Sequence, residues 1–260
     1  VSQPLSIFSA GGDVSTTGKR ELAPAHVTVI GWNRWGQVLI SELNQLLPPG
    51  SSIRIIYDPE LVTEPPCTGA TELSLECEAM QADTTQRNAL EALDFDNCDH
   101  VVLLSYRDRL TVEDADNRSL LTLIHLRDLF ESRRLDLNIC SEIIDVRNRD
   151  LIRESDDGND FVASEDLVSK VLVQISENSE LKRIFDQLLT ADGPEFHFRR
   201  AGDYTDEQQI PTFGHMSNAA LAKNEIAVGY RLNGDTVLNP PKSQTIELEE
   251  QDRLIVLVEE

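Results

Sequence analysis

The segment His26-Val-Thr-Val-Ile-Gly-Trp-Asn-Arg-Trp-Gly36 begins a stretch that ends at Ile53-Arg-Ile-Ile-Tyr-Asp58, and this stretch decides the fold. It opens with a β-branched run that stops at a glycine. Apolar residues at helical spacing follow, and they stop at Pro48-Pro49-Gly50. A second β-branched run then ends on an acid. Strand, glycine turn, helix, strand and acid make up a nucleotide-binding βαβ unit of the Rossmann type.

The glycine turn departs from the dinucleotide-binding pattern G-x-G-x-x-G at its middle position. Gly31 and Gly36 are its first and third glycines, but Asn33 stands where the second would be. That glycine lets the backbone approach a pyrophosphate, so a side chain there favours the fold and disfavours the usual ligand. Asp58 has the position of the acid that binds the adenosine ribose; we favour the alternative, an acid that caps the turn. We expect NAD and other nucleotides to bind weakly or not at all.

The alternation of strands and helices continues beyond this unit. Helical patterns occupy about 84–93 and 115–132, and each lies between two short apolar runs. Strands that alternate with helices predict a doubly wound parallel sheet, and hence an α/β domain. The six predicted strands are about 26–31, 52–58, 74–80, 100–105, 136–144 and 160–163.

The pattern changes after the sixth strand. Two consecutive amphipathic helices are predicted at 167–175 and 181–189, and the remainder is typical of a small α+β lobe, with strands at 196–198, 226–232 and 252–258 and a helix at 216–223. We therefore divide the chain into a linker or tail of a preceding domain (1–24), a Rossmann-like lobe (25–164), a helix–turn–helix crossover (165–192) and a C-terminal lobe (193–260). Val1 leads us to expect a piece of a longer protein.

The composition limits the partners of this chain. It has 46 Asp and Glu against 23 Lys and Arg, a formal net charge of −23. Such a surface repels phosphate backbones and attracts cations, so we expect no nucleic-acid partner. No apolar run approaches the roughly 18 residues that a membrane helix needs.

The four cysteines follow no metal-binding spacing. Cys67, Cys77, Cys98 and Cys140 contain no C-x-x-C pair. We expect reduced thiols in a cytosolic domain, in preference to a zinc site.

A cluster of acids opens the helix that follows the fourth strand. Glu113-Asp-Ala-Asp-Asn117 includes Asp114 and Asp116, and carboxylates at a helix start interact well with its dipole. The carboxyl ends of neighbouring parallel strands also meet at one edge, where Glu142 and Asp145 at the end of the fifth strand could approach Asp116. Oxygen ligands on separate loops suit Ca²⁺. Helix capping and a cation site both remain open.

Several sequence blocks together resemble one family. They run in order along residues 26–260, and the family is that of the CASTOR/POLLUX ion channels, in the cytosolic C-terminal part and including bacterial-type relatives. The family usually shows Gly-Trp-Arg-Arg where this chain has Gly31-Trp-Asn-Arg34. The matching blocks are Gly31-Trp32, Glu113-Asp-Ala-Asp-Asn-Arg-Ser119, Leu126-Arg127-Asp128, Ser141-Glu-Ile-Ile-Asp145, Asp160-Phe-Val-Ala-Ser-Glu-Asp-Leu-Val-Ser169, Ile226-Ala-Val-Gly-Tyr-Arg-Leu232 and Asn239-Pro240-Pro241.

The resemblance implies a regulator-of-K⁺-conductance (RCK) domain, the second of two in its subunit. It further implies a pore and a first RCK domain in the same polypeptide, dimers through the crossover helices and a gating ring in the full channel, with this domain in the cytosol. In the calcium-gated branch of that superfamily, acidic ligands match Asp116 and Glu142. A further ligand position has become Ile144, and Asp114 or Asp145 could supply that oxygen.

Two functions from different classes follow. The first is a ligand-sensing gating-ring domain that is not an enzyme and couples ion or nucleotide binding to the opening of a cation channel, with Ca²⁺ as the candidate ligand. The second is a soluble NAD(P)-dependent oxidoreductase. Asn33 argues against the second, as does the absence of a catalytic Tyr-Lys or His-Asp pairing that we can place. The predicted C-terminal lobe is also too small for a substrate domain.

Overall fold

The structure is a computed structural model. It describes residues 23–67, 73–151, 161–190, 193–205, 211–233, 235–247, 249 and 251–259. These residues form two compact units. The first extends to Leu181, and the second begins at Lys182. All but the last two residues of the predicted linker lie outside the described residues.

The first unit is built on six parallel strands in the order β3-β2-β1-β4-β5-β6. β1 pairs with both β2 and β4, so the strand order reverses beside it. This sheet confirms the predicted α/β class. The strand bounds are β1 His26–Ile30, β2 Ser52–Tyr57, β3 Glu76–Gln81, β4 His100–Leu103, β5 Asn138–Ile143 and β6 Phe161–Ala163.

Helices and turns connect the strands. They are α1 Gly36–Leu46, α2 Arg87–Glu91, α3 Val112–Arg133, a 3₁₀ turn at Val146–Leu151 and α4 Ser164–Glu177. The central strands are buried because their β-branched residues pack under the helices, as Ile30 and Ile56 do. Between α3 and the segment before β4, the rings of Phe95 and Phe130 meet edge to face at 5.0 Å. Helix α3 begins earlier than predicted because the Thr111 hydroxyl caps it, accepting from the backbone N–H of Asp114.

The second unit contains α5 and an antiparallel sheet in the order β7-β10-β8-β9. Its core packs α6 on that sheet, with Phe213 and Met216 fully buried. Strand β9 was not predicted. Gly229 lets it pair closely with β8, since a Cβ there would lie 2.2 Å from the carbonyl oxygen of Val237. The element bounds are α5 Leu181–Leu188, β7 Glu195–Arg200, a 3₁₀ turn Ala201–Tyr204, α6 Phe213–Ala222, β8 Ile226–Leu232, β9 Asp235–Leu238 and β10 Arg253–Val258.

The expectation that all cysteines are reduced is wrong for two of them. Cys67 and Cys77 form a disulfide, while Cys98 keeps a buried thiol whose Sγ donates to Thr28 Oγ1. The bond forms because β3 returns the chain beside the loop that leaves β2, a proximity that spacing in the sequence does not reveal. Within the described ranges, no helix has both the length and the apolar character to cross a bilayer.

Candidate functional site

Gly31 is required by the backbone at the point where the strand order reverses. Its φ is +86°, and a Cβ there would lie 2.0 Å from the carbonyl oxygen of Leu104. The N–H of Leu104 donates to the Ile30 carbonyl at 2.8 Å, which joins the ends of β1 and β4. A crevice at the carboxyl ends of such a switch point is the usual ligand site of doubly wound sheets. In this chain, the ends of β1 and β4 are held together by that hydrogen bond at the centre of the crevice.

Gly36, the third glycine of the turn, makes room for an aromatic ring. A Cβ on Gly36 would lie 2.4 Å from the ring of Trp32. The half-buried ring therefore packs directly on the first residue of α1. In a dinucleotide-binding turn the same glycine serves close packing of helix against strand. Here the turn's own tryptophan takes up that space.

Both the nitrogen and the oxygen of the Asn33 side-chain amide form hydrogen bonds inside the protein. Only 4% of the residue is exposed. Its Nδ2 donates to the Ser105 carbonyl at 2.7 Å and to Glu142 Oε2 at 2.8 Å, while its Oδ1 accepts from the Trp35 N–H at 2.8 Å. The side chain thus fills the position where a glycine would leave room for pyrophosphate.

Glu142, at the end of β5, is the centre of this network. The Ser105 N–H and hydroxyl each donate to Oε2 at 3.2 Å. Arg107 donates to Oε1 at 2.8 Å, and the Ser164 hydroxyl donates to the same oxygen at 3.3 Å. One buried carboxylate therefore joins the turn after β1, the end of β4 and the first residue of α4.

Asp58 is bound by an arginine of α3 where a dinucleotide ribose would lie. Arg118 Nη2 donates to Asp58 Oδ2 at 2.6 Å and to Asp83 Oδ1 at 3.0 Å. Asp58 Oδ1 also accepts from the Glu60 N–H at 2.9 Å, so the turn-capping role that we favoured from the sequence is present. The Asp58 N–H donates to the Tyr106 hydroxyl, whose pKa is raised by burial.

Asp116 is fully buried and caps the end of β5. Its two oxygens accept from the N–H groups of Ile144 and Asp145, each at 2.9 Å, and Oδ2 also accepts from Asn148 Nδ2 at 2.8 Å. Asp114 accepts from the Thr111 hydroxyl at 2.7 Å at the start of α3. Asp114 therefore contributes to the start of α3, as the capping alternative predicted, whereas Asp116 binds the backbone after β5 and does not cap α3.

Asp145 forms an exposed ion pair with Arg147. The guanidinium donates to both carboxylate oxygens, and this pairing lowers the pKa of Asp145 to about 2. The carboxylate is therefore charged at neutral pH. Its backbone N–H, but not its carboxylate, is bound by Asp116.

The four predicted metal ligands do not form one cluster. Across the described residues, no three His, Cys, Asp or Glu side chains are close enough to hold a metal ion together. Glu142 faces Asn33, Ser105 and Arg107, while Asp116 faces the backbone after β5. A cation at Glu142 does not fit beside the guanidinium and would have to displace it. The Ca²⁺ site stays a prediction.

The two arginines that organise this edge were not predicted from the sequence. Arg107 and Arg118 bind acids 35 and 60 positions away in the chain. The sequence does contain a signal for Arg107. Ser105-Tyr-Arg107 directly follows a buried strand, and side chains at that position reach the carboxyl edge. The second lies inside the acidic block at the start of α3, in which only the acids were predicted to be site residues.

Comparison with known proteins agrees with the sequence blocks. Residues 27–164 match the family model of the TrkA-N domain. The chain is 27% identical over 277 residues to the probable ion channel POLLUX of Oryza sativa subsp. japonica, which covers 90% of this chain and 28% of that protein. It is 28% identical over 259 residues to the ion channel CASTOR of Lotus japonicus, covering 84% and 30%. The predicted similarity to CASTOR/POLLUX channels is confirmed, and the chain spans less than a third of these two relatives.

A solved structure shares the fold. The human SLO3 gating ring superposes with a TM-score of 0.62 at 11% identity, over 90% of this chain and 44% of that one. At this identity the likeness concerns the fold alone, and it agrees with a parallel six-stranded sheet followed by a small antiparallel one.

Proposed function

The chain belongs to the TrkA-N domain family, and we propose that it is a regulatory domain of a cation channel of the CASTOR/POLLUX type. In this proposal it lies on the cytosolic side of the membrane as part of a gating ring. The pore and a first RCK domain belong to the same polypeptide, which fits a chain that aligns with about 30% of the CASTOR relative. Potassium is among the ions that such a pore would conduct.

At the carboxyl edge, side chains of the protein occupy two positions that a bound nucleotide would need. This observation decides between the two functions. Asn33 fills the place of the pyrophosphate glycine, and Arg118 binds the acid that would hold a ribose. An NAD(P)-dependent oxidoreductase needs both positions open. This geometry supports a domain that acts by binding and conformational change and not by hydride transfer.

We propose a divalent cation, Ca²⁺, as the ligand of this edge. Glu142 offers a carboxylate, and the hydroxyl oxygens of Ser105 and Ser164 lie 3.2 and 3.3 Å from its oxygens. The net charge of −23 raises the local concentration of cations, although screening limits this help to charges within about 8–10 Å. Ca²⁺ sensors and weaker sites bind in the micromolar-to-millimolar range, about 10⁻⁶ to 10⁻³ M, and we expect the same here.

Binding can regulate a pore only if the ligand prefers one of two arrangements of the ring. The shift in equilibrium can be no larger than the difference in affinity between the arrangements.

Helix α4 carries four exposed apolar residues, Leu167, Val168, Leu172 and Val173, and these fit a contact with a neighbouring domain. We propose a homo-oligomer in which this helix joins two copies.

Calorimetry on the 260-residue chain tests the ligand class. We expect heat of binding with Ca²⁺ and none with NAD⁺ or NADH, and Glu142→Gln should weaken the Ca²⁺ affinity while the exposed Asp235→Asn leaves it unchanged. Micromolar NAD⁺ binding that disappears in Asp58→Ala would instead favour the oxidoreductase. In the full polypeptide, Ca²⁺ applied to the cytosolic side of a planar bilayer should change the open probability.

A further inference from the structure

The crossover that leads to the edge strand β3 is held by a disulfide. Parallel strands are usually connected through an α-helix. The described part of this crossover, residues 58–67 and 73–75, contains no helix. Every residue of β3 except Cys77 is exposed, and of residues 73–81 only Leu75 is buried. Because the strand buries so little, its attachment depends on pairing with β2, on Leu75 and on the bond between Cys77 and Cys67.

Cys67 ends a loop, residues 59–67, that begins at the carboxyl edge of the sheet. The backbone carbonyl of Asp58 accepts from two successive N–H groups of this loop, each at 3.1 Å. Farther along, Thr63 Oγ1 accepts from Arg109 Nη2 at 2.8 Å, and Arg109 belongs to the segment that follows β4. The disulfide therefore joins the edge strand to a loop whose other end is fixed beside Asp58.

The backbone of Cys67 has a conformation that needs a constraint. Its φ is +66°, in the left-handed region that residues other than glycine rarely adopt. Such a residue persists where its surroundings hold it in place, and the bond to Cys77 contributes to that here. Both cysteines are half-buried, so an external thiolate can reach the bond. Opening the bond removes this constraint and frees the loop from β3.

We propose that Cys67 and Cys77 form a thiol–disulfide exchange site, which fastens the loop 59–67 when it is oxidised and releases the loop when it is reduced. This rests on the proposed function, because that function puts the domain in the cytosol. Glutathione and thioredoxin keep thiols reduced there, and a disulfide in that compartment is usually transient and redox-sensing. The redox state then sets how firmly the loop lies beside Asp58.

The reaction needs only an external thiol. One thiolate of a reduced dithiol attacks a sulfur of the bond, which breaks to give a mixed disulfide and one cysteine thiolate. The second thiolate of the dithiol then attacks the mixed disulfide and closes the dithiol into a disulfide. Two electrons and two protons pass to the protein, so that Cys67 and Cys77 become thiols. Glutathione disulfide reverses the reaction and yields two molecules of reduced glutathione.

Thiol trapping tests the exchange. The 260-residue chain is equilibrated with mixtures of reduced and oxidised glutathione, quenched in acid and alkylated in denaturant, and its thiols are counted. The oxidised chain carries two, Cys98 and Cys140, and the reduced chain carries four. We expect the count to rise from two to four when reduced glutathione is in the large excess typical of the cytosol. A count that stays at two there, and rises only after unfolding in urea, would overturn the proposal.

Hydrogen exchange tests what the bond fastens. The amides of Leu61 and Val62 donate to the Asp58 carbonyl and report the loop. The amide of Ala82 donates to the Tyr57 carbonyl and reports the end of β3. Reduction should speed the exchange of all three amides by between about tenfold and about a hundredfold. The upper figure is the loop-closure entropy of a ring between residues ten positions apart, expressed as an equilibrium factor.

Two controls accompany this measurement. The amide of Leu104, which donates to the Ile30 carbonyl in the centre of the sheet, should keep its rate on reduction. The variant Cys67→Ser/Cys77→Ser should exchange like reduced wild type and should not respond to the reductant. Faster exchange at Ala82 alone would confine the effect of the bond to β3 and overturn the link to the loop. Failure of either redox test leaves the channel assignment intact, whereas a missing Ca²⁺ response leaves the redox result intact.

Discussion

Asn33 gives the turn after β1 a structural role where a glycine would leave room for a nucleotide. Its amide connects the turn after β1 with the end of β4 and with Glu142 on β5. A glycine leaves these partners to water or to a ligand, whereas the asparagine keeps them inside the protein. Loss of the side chain would leave a buried carbonyl and a buried carboxylate each short of one donor.

We expect Asn33→Ala to destabilise the fold. The loss should be roughly 1–3 kcal/mol of unfolding free energy, the usual cost of leaving buried polar groups without a partner. Urea denaturation followed by circular dichroism measures it. The exposed Asn88→Ala in α2 is the control and should change stability by no more than about 0.5 kcal/mol. Equal stability of Asn33→Ala and wild type would mean that water replaces the amide without cost.

Asp145 should titrate at unusually low pH. Its folded pKa of about 2 lies below the unfolded value of 3.8, because Arg147 donates to the charged carboxylate. The stability it contributes is therefore complete above about pH 4 and is lost as the pH falls through about 2. NMR titration of the side-chain carboxyl measures the midpoint. Arg147→Gln should raise that midpoint towards 3.8; a midpoint that does not move would exclude the ion pair as its cause.

The positions of the candidate site residues were predictable, but their partners were not. A β-branched run that ends on Gly31 places Asn33 at the carboxyl edge, and the same argument places Glu142 there. Whether a carboxylate faces a metal, an arginine or a backbone N–H depends on side chains from distant elements. Asp116 was therefore predicted as a site residue without the contacts that define it, and Arg107 was not predicted at all.

At the scale of elements, α4 presents an apolar face that the described structure leaves uncovered. Val168 and Leu172 lie one helical turn apart and are 55% and 62% exposed. Covering such a stripe contributes roughly 25 cal/mol per Å² of apolar surface removed from water. Apolar residues at this spacing are costly to leave in water, and in the proposed homo-oligomer a second copy of the chain would cover them.

Leu172→Glu should weaken self-association. The charge would have to be buried in the contact, so we expect the oligomer to dissociate at micromolar concentration, as measured by light scattering with size exclusion. Gln174→Glu adds the same charge to an exposed position on the side of the helix opposite Leu172, and it should leave the mass unchanged. If Leu172→Glu and wild type have the same mass, α4 is not the contact.

The regular elements were predicted where the apolar pattern was long and was missed where it was short. The buried strands β1, β2 and β4 were found within one or two residues, because continuous β-branched runs have few alternatives. Strand β9, four residues beginning at Asp235, has no such pattern and is held by pairing with β8. Helix α3 was placed too late because its first turn is polar and is fixed by the Thr111 cap.

At the scale of the whole molecule, contacts group the elements whose order periodicity predicts. Both crossover helices were predicted from the sequence to form one segment, 165–192. By contacts, α4 belongs with the first unit, and the second begins at Lys182. A pattern of apolar residues shows that a helix has a face to bury, but it does not show which neighbour buries it. The boundary at Leu181 is therefore information that only the tertiary structure supplies.

The disulfide should stabilise the molecule in a way that depends on the redox state. It closes a ring between residues ten positions apart, and loss of loop-closure entropy predicts roughly 2–3 kcal/mol of unfolding free energy. A dithiol reductant should lower the urea midpoint of wild type and should not affect a Cys67→Ser/Cys77→Ser variant. Thiol titration must show that the bond has opened. An unchanged midpoint in fully reduced wild type would mean that the ring does not restrict the unfolded chain.

The packing of Trp32 on Gly36 has a spectroscopic consequence. The chain has two tryptophans, and both lie in this turn, Trp32 half-buried and Trp35 47% exposed beside the Arg34 guanidinium. All of the intrinsic indole fluorescence therefore originates within a few residues of Asn33. Emission wavelength and quenching by iodide would follow events at the carboxyl edge. The protein carries its own optical probe at the position where a ligand is expected to bind.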